Sequence, residues 1–142
     1  MRSKAVSNVF EWPVRVYYED TDAGGLVYHS RYLHFLERAR TEWLRALGFE
    51  QDALARQPGV LFVVRWMELD YRHAARFNER LLVRSRVEEL RRASLVFAQD
   101  VQRADDATHL LSARVRLACL EATRHRPCPI PESVLRKIQN EL

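Results

Sequence analysis

Hydrophobic and polar positions along this chain follow a helical spacing in one long segment and alternate in several shorter ones. Residues 14–18 alternate and are rich in β-forming residue types, which predicts a first strand. From residue 30 to about residue 47, apolar side chains recur at helical spacing, which predicts a helix with one broad apolar face. Ser30 suits the N-cap of this helix, and Gly48 suits its end. Such a helix needs a sheet to lie against.

The rest of the chain carries four more strand patterns and a short helix. The strand patterns are bounded by turn residues and cover residues 60–71, 80–89, 92–103 and 110–120. A proline-rich tail follows, and Pro131 with Glu132 predicts the start of a short C-terminal helix. This order predicts an α+β fold in which one curled antiparallel sheet packs on one long helix. Pairing of two subunits through the sheet would cover its exposed edge.

Length and composition limit the number of domains and the location. With 142 residues, of which 47% are hydrophobic, the chain fits one domain over residues 1–142. Residues 1–12 contain no continuous apolar run, and no later stretch approaches the roughly 20 apolar residues of a membrane span. We therefore expect a cytoplasmic protein that does not insert into a membrane.

The two cysteines give no sign of a metal site or a disulfide. Cys119 and Cys128 lack the spacing of metal ligands and have no vicinal partner. Cys119 falls on the apolar side of an alternating strand, which favours core packing. We expect no disulfide, no bound metal and no organic cofactor.

The net charge of +4 comes almost entirely from arginine, because Lys4 and Lys137 are the only lysines. A modest basic excess suits a phosphate-bearing ligand, nucleic acid or an acidic protein, and a GC-rich genome explains it equally well. The arginines are dispersed among acidic residues, and no helix-turn-helix, zinc-finger or RNA-binding motif is visible in the sequence. The sequence therefore disfavours nucleic acid as a partner.

Candidate chemistry is concentrated in residues 18–29, between the first strand and the long helix. This segment combines Asp20, Asp22, a glycine pair and a histidine. A strand-to-helix junction can present a carboxylate beside the unpaired N–H groups of the helix. Attack on a carbonyl and stabilisation of the resulting oxyanion need that geometry, so the sequence predicts an active site here.

The same residues resemble the signature of a known family. Tyr-x-Asp-Thr-Asp-x-x-Gly-x-Val-Tyr-His, followed by Tyr32-x-x-Phe35-x-Glu37-x-Ala39-Arg40, is similar to the pattern of hotdog-fold acyl-CoA thioesterases. The resemblance is strongest to the Tol-Pal-associated (YbgC-like) branch, which is related to 4-hydroxybenzoyl-CoA thioesterase. It implies a homodimer or homotetramer that hydrolyses short- to medium-chain or aromatic acyl-CoA, with a connection to lipid metabolism.

The resemblance assigns roles to the acidic and glycine positions of the loop. Asp22 matches the catalytic aspartate of the family, acting as nucleophile or as general base. Local hydrogen bonding at a turn is the alternative for both aspartates, and we prefer it for Asp20. Gly24 and Gly25 would let a ligand approach the main chain, although a simple turn is equally compatible with two glycines.

Tyr28 and His29 lie at the entry of the helix, where free N–H groups favour a developing oxyanion. We expect the His29 N–H to serve there. The His29 side chain would polarise the carbonyl, orient Asp22 or protonate the leaving thiolate, or else only cap the helix. Glu37 is a reserve acid, because other hotdog thioesterases place theirs on the central helix. Together with Arg38, Arg40 and Glu42, however, it favours a solvated, ion-paired side of that helix.

The segment Glu89-Leu90-Arg91-Arg92-Ala93-Ser94 resembles the part of 4-hydroxybenzoyl-CoA thioesterase whose basic residues meet the nucleotide phosphates. Arg91 and Arg92 match that motif, with Ser94 beside them, and the alternative is an exposed hairpin. Ala93 stands where that enzyme has lysine, which implies a weaker or differently arranged phosphate grip. An acyl carrier protein is acidic and would also suit a basic entrance.

Two other functions stay open at this point. One is a hotdog hydratase or dehydratase, but the Asp22-x6-His29 spacing does not resemble the motif of that family. The other is a non-catalytic module that binds acyl thioesters or an acyl carrier protein. The acidic and histidine positions argue against such a module, although a motif does not prove catalysis.

Overall fold

Five antiparallel strands form one sheet in the order β1-β3-β4-β5-β2, and a long helix packs against one face of it. The computed structural model describes residues 8–141. The strands are β1 (Phe10–Arg15), β2 (Val60–Tyr71), β3 (Arg80–Leu90), β4 (Ser94–Arg103) and β5 (His109–Glu121). The helices are α1 (Arg31–Ala46), α2 (Gln51–Arg56) and α3 (Glu132–Glu141), and a short 3-10 turn covers Tyr18–Asp20. The predicted α+β fold, with a long central helix and a short C-terminal one, is confirmed.

The first strand and α2 differ from the sequence prediction. β1 begins about four residues earlier than predicted and ends at Arg15, after which the Val16 N–H still donates to the Glu79 carbonyl at 3.0 Å, in register with β3. The 3-10 turn then begins at Tyr18. α2 was not predicted, since six residues with one buried side chain, Leu54, are too few to show a helical period.

Helix α1 forms where the apolar positions predicted it and ends at Gly48. Its buried face consists of Tyr32, Phe35, Leu36, Ala39, Arg40, Trp43 and Leu44. Gly48 adopts a φ of 101°, a conformation that favours glycine. The N–H groups of Gly48 and Phe49 donate to the carbonyls of Arg45 and Leu44, which closes the helix. Ser30 occupies the N-cap position, but its side chain makes no capping hydrogen bond.

A buried polar network crosses the otherwise apolar core. Arg40 Nη1 donates to Gln99 Oε1 at 3.1 Å. Gln99 Nε2 donates to Ser85 Oγ at 2.9 Å and to the Leu36 carbonyl at 3.1 Å. Burying such groups costs free energy unless they are hydrogen-bonded, so the network fixes α1 to β3 and β4 at one level.

Strand β2 is a long sheet edge with large apolar side chains exposed. It pairs with β5 on one side, and its other side has no strand partner within residues 8–141. Val64, Trp66 and Tyr71 on this strand are each more than 40% exposed. An uncovered edge of 12 residues with this character is the kind that pairs with another chain.

The two cysteines lie side by side, although nine positions separate them in the sequence. Their Sγ atoms are 3.8 Å apart, and both thiols are free. The tail folds back along β5, since the Cys128 N–H donates to the Cys119 carbonyl at 3.0 Å. Cys119 is fully buried, as predicted, and burial raises the pKa of its thiol to about 12, which suppresses thiolate chemistry at neutral pH.

No helix of residues 8–141 is both long enough and apolar enough to cross a bilayer.

Candidate active site

The loop between β1 and α1, residues 16–30, is anchored to the segment that precedes β3. The Val27 N–H donates to the Ala75 carbonyl at 2.9 Å, and Val16 exchanges backbone hydrogen bonds with Asn78 and Glu79. Within the loop, residues 21 and 27 form an antiparallel bridge. The loop is therefore a small hairpin with a fixed position at the N-terminus of α1.

Asp20 holds this loop in shape from inside. Its carboxylate is buried and accepts the Tyr17 N–H at 2.8 Å and the Arg31 Nε–H at 3.0 Å. Its backbone carbonyl accepts the Tyr28 N–H at 2.9 Å. These contacts join the start of the loop, its end and the first residue of α1, so Asp20 acts as a positioning residue.

Asp22 is exposed, and its two carboxylate oxygens differ. Oδ1 accepts the N–H groups of Gly24 at 2.9 Å and of Leu26 at 3.2 Å. Oδ2 has no hydrogen-bond partner within residues 8–141. Asp22 therefore does make the local turn hydrogen bonds that were the alternative to a catalytic role, but only through Oδ1. These bonds orient the carboxylate and leave Oδ2 available to a ligand.

The glycine pair has a local role in holding Asp22. The Gly24 N–H is one of the donors to Asp22 Oδ1, and a Cβ at Gly24 would lie 3.4 Å from that oxygen. Gly25 adopts a φ of 83° and donates its N–H to the Asp22 carbonyl at 3.0 Å. Side chains rarely adopt that backbone conformation, so this tight turn requires a glycine at 25.

The His29 N–H at the entry of α1 is free. It has no acceptor in the described part of the chain, whereas the Tyr28 N–H is already used by the Asp20 carbonyl. Tyr28 therefore cannot supply an oxyanion N–H, which corrects that part of the prediction and leaves it as a loop residue. The Tyr71 hydroxyl donates to the His29 carbonyl at 2.8 Å and fixes the helix entry.

The His29 side chain is exposed and makes no hydrogen bond within residues 8–141, so it does not cap the helix. Its ring lies 4.4 Å from the Tyr28 ring and faces a shallow depression shared with Tyr71 and His73. Burial raises the pKa of Tyr71, which keeps the hydroxyl protonated as a donor to the His29 backbone.

The predicted CoA-binding residues lie far from Asp22 in the same protomer. Arg91 and Arg92 form the exposed turn after β3, whereas the Asp22 loop is anchored beside the start of that strand. The 11 residues of β3 span roughly 35 Å. One protomer does not bring the two groups together.

The turn itself is ordered by contacts that the sequence did not reveal. The Arg91 N–H donates to the Ser94 carbonyl at 2.8 Å, and Arg91 Nε lies 2.7 Å from a Glu89 carboxylate oxygen. Arg116 contacts Ser94 Oγ at 3.2 Å and Glu89 at 3.1 Å. Arg116 is a third basic residue at this turn, and only the register of β4 on β5 places it there.

Glu37 lies at a cavity of about 290 Å³ between α1 and β2. Glu37 is exposed and makes no ion pair within residues 8–141, whereas Glu42 pairs with Arg45 at 2.6 Å. Arg40, which the sequence placed on the solvated side, is buried and also lines the cavity. Glu37 is therefore solvated, as predicted, but not ion-paired within the described residues, and the prediction is wrong at Arg40, because position 40 falls on the apolar face of the helix.

The described residues contain no group of three or more His, Cys, Asp or Glu side chains that could hold a metal ion.

Comparisons with known proteins identify the family of this chain. The model of the thioesterase-like superfamily matches residues 16–138. The acyl-CoA thioesterase YbgC of Haemophilus influenzae is 45% identical over 129 residues, which cover 91% of this chain and 93% of that protein. The acyl-CoA thioester hydrolase YbgC of Escherichia coli is 43% identical over 133 residues, with 94% and 98% covered. A probable thioesterase from Bartonella henselae superposes with a TM-score of 0.82 at 34% identity, over 87% of this chain and all of that one.

Proposed function

Since this chain belongs to the thioesterase-like superfamily of hotdog proteins, we propose that it hydrolyses acyl-CoA thioesters to the free acid and CoA, with Asp22 as the catalytic carboxylate. The observation that carries this proposal is the arrangement at the entry of α1. The loop that leads directly into α1 carries the free Oδ2 of Asp22 and, seven residues later, the unpaired N–H of His29. Acyl transfer requires at least a nucleophile or general base and a hydrogen-bond donor to the oxyanion.

The reaction needs little beyond these two groups. In one route, Asp22 Oδ2 attacks the thioester carbonyl, the C–S bond breaks, and CoA leaves as a thiolate that takes a proton. Water then hydrolyses the mixed anhydride. In the other route, Oδ2 removes a proton from a water molecule as the water oxygen bonds to the carbonyl carbon, and the tetrahedral intermediate then collapses with cleavage of the C–S bond, releasing the acid and the CoA thiolate, which takes a proton. In both routes the His29 N–H faces the developing oxyanion, and the His29 ring is free to protonate the thiolate.

We also propose that the complete site is shared between two subunits. A two-fold axis beside β2 would pair the two copies of this strand antiparallel, so that the Tyr71 end of one lies beside the Val60 end of the other. Tyr71 contacts the active-site loop through His29. The Arg91–Arg92 turn lies near the opposite end of β2, because the adjoining Ala93 carbonyl accepts the N–H of Cys119, the partner of Phe62. Dimerisation would therefore bring the arginines of one copy to the end of the sheet that holds the partner's Asp22 loop.

The identity of the products tests the function. Incubation of the protein with a panel of alkyl and aromatic acyl-CoAs should release one free thiol and one free acid for each thioester consumed, as followed by a thiol reagent and mass spectrometry. Addition of water to an enoyl-CoA without thiol release would instead indicate the hydratase activity that the sequence left open. Binding of acyl-CoA without turnover would indicate a non-catalytic module.

Several finer points belong to the same proposal. The basic turn suits either CoA or the phosphopantetheine arm of an acidic acyl carrier protein. The cytoplasmic role in lipid metabolism connected with the Tol-Pal system, which the motif resemblance implies, is part of this proposal. The uncovered β2 edge supports a homodimer. A homotetramer would consist of two such dimers.

A further inference from the structure

The His29 carbonyl at the entry of α1 is held by a side chain of the sheet rather than by the helix. The Tyr71 hydroxyl donates to this carbonyl at 2.8 Å, and no backbone N–H of residues 8–141 does so. In a regular helix, the carbonyl of residue 29 would accept the N–H of residue 33. Here the Leu33 N–H donates to the Ser30 carbonyl at 3.1 Å instead. Tyr71 thus replaces the donor that the helix itself would supply.

The peptide groups on both sides of His29 are restrained. The Arg31 N–H donates to the Tyr28 carbonyl at 2.9 Å, which closes a turn with His29 and Ser30 at its centre. The Tyr28 N–H donates to the Asp20 carbonyl, also at 2.9 Å. These bonds hold the peptide group before His29, and the bond from the sheet holds the one after it. Together they restrain the backbone angles that set the direction of the free His29 N–H.

The Tyr71 side chain is itself well supported. Tyr71 is the last residue of β2, where it is paired with Leu111 of β5. Its ring packs edge-on against the Tyr32 ring, with centroids 5.7 Å apart. Tyr32 is buried, and its hydroxyl accepts the Ala75 N–H at 3.0 Å. The bond from Tyr71 to the His29 carbonyl lies within one subunit, so it does not depend on which chain covers the edge of β2.

We propose that Tyr71 is a positioning residue for the reaction, which aims the His29 N–H at the oxyanion without touching the substrate. The inference rests on the proposed function, because it concerns the oxyanion donor of that reaction. Such a donor is most effective when it is already aimed where the charge develops, since no reorganisation is then needed. Without the Tyr71 hydroxyl, the His29 carbonyl is free to accept the Leu33 N–H, and the peptide group after His29 rotates. The donor then loses its alignment, which slows the chemical step and leaves substrate binding unchanged.

The test begins with Tyr71→Phe, which removes only the hydroxyl. We expect kcat for acyl-CoA hydrolysis to fall by about tenfold, with KM and the melting temperature unchanged, because the lost bond acts on the transition state. Tyr32→Phe is the comparison variant. It removes a buried hydrogen bond, so it should lower the melting temperature and retain kcat. Replacement of Tyr71 by 4-aminophenylalanine restores a donor at the same position and should restore most of kcat.

A spectroscopic measurement separates positioning from folding. An acyl-CoA analogue in which CH₂ replaces the thioester sulphur carries a ketone that hydrolysis cannot cleave. An aligned N–H polarises this carbonyl and lowers its infrared stretching frequency. The frequency of the bound analogue should therefore be lower in wild type and in Tyr32→Phe than in Tyr71→Phe.

Each outcome decides the assignment. A wild-type kcat and a wild-type carbonyl frequency in Tyr71→Phe overturn the role of Tyr71 and leave the proposed function intact. A loss of kcat that 4-aminophenylalanine does not restore has the same meaning. If wild type hydrolyses no acyl-CoA, the proposed function and the role of Tyr71 fail together.

Discussion

Asp22→Asn is expected to lower kcat for acyl-CoA hydrolysis by about 10²- to 10⁴-fold, the loss typical of removing a general base or nucleophile. Asparagine keeps an oxygen that can accept the N–H groups of Gly24 and Leu26, so the loop retains its shape. The substitution removes the charge and the nucleophilic oxygen at Oδ2. Initial rates of thiol release at saturating substrate measure the effect.

Two controls separate chemistry from folding in that experiment. Asp52→Asn changes an exposed aspartate on α2 and should leave both activity and the melting temperature unchanged. The melting temperature of Asp22→Asn should equal that of wild type, because its carboxylate is exposed. Wild-type activity in Asp22→Asn would remove Asp22 from the mechanism and make Glu37 the next acid to test, with Glu37→Gln.

Combined Arg91→Ala and Arg92→Ala substitutions are expected to raise KM for acyl-CoA by about 30-fold, at about 1 kcal/mol for each charge-assisted phosphate contact. The value of kcat should change much less, because phosphate binding is the same in the ground state and the transition state. Arg92 should carry the larger share. It has no ion pair in the described chain, whereas Arg91 already lies 2.7 Å from Glu89.

Arg84→Ala with Arg136→Ala is the matched control for the arginine turn. It removes the same charge from exposed positions on β3 and α3 that pair with Glu11 and Glu132. If this control raises KM as much as the Arg91–Arg92 variant does, the effect comes from net charge alone. An unchanged KM in the Arg91–Arg92 variant would place the CoA site elsewhere.

The sequence predicted the elements that pack one face against the hydrophobic core, because their apolar side chains recur at regular intervals. Helix α1 and strands β3 to β5 face the core along most of their length, so their helical or alternating periods are visible, and β2 is marked by its β-forming residues and the turn residues before it. Residues 16–18 alternate as a strand would, yet the chain forms a 3-10 turn at Tyr18–Asp20, in which the Asp20 N–H donates to the Tyr17 carbonyl. Contacts made in the folded loop override the alternating pattern, and a single sequence does not show such contacts.

The burial of Arg40 contradicts the prediction made from its charged neighbours, although helical spacing alone indicates the buried position. Its charged neighbours suggested a solvated side of the helix, but it lies four residues after Leu36 and three before Trp43, on the buried face. Helical spacing could therefore have found it. Its partner, Gln99, lies 59 residues away, and only the packing of α1 on β4 brings the two together.

The acidic loop was identified from its residues, but the relation between its parts needed the structure. Sequence could name Asp22, His29, Arg91 and Arg92 as candidates. It could not show that Asp22 has one bound and one free oxygen, or that the Tyr28 N–H is occupied. The separation of the arginines from Asp22 follows from the length and direction of β3, and it is the reason for proposing a site built from two copies.

The measurement that tests this account most directly is the activity of a mixed dimer. One subunit carries Asp22→Asn, the other carries Arg91→Ala with Arg92→Ala, and the pair is purified through two different affinity tags. In a shared site, one of the two sites regains both Asp22 and the arginines, so the mixed dimer should show about half the wild-type kcat with a wild-type KM. Turnover only at the raised KM of the arginine variant would show that Asp22 and the arginines act within one subunit, and would contradict the account.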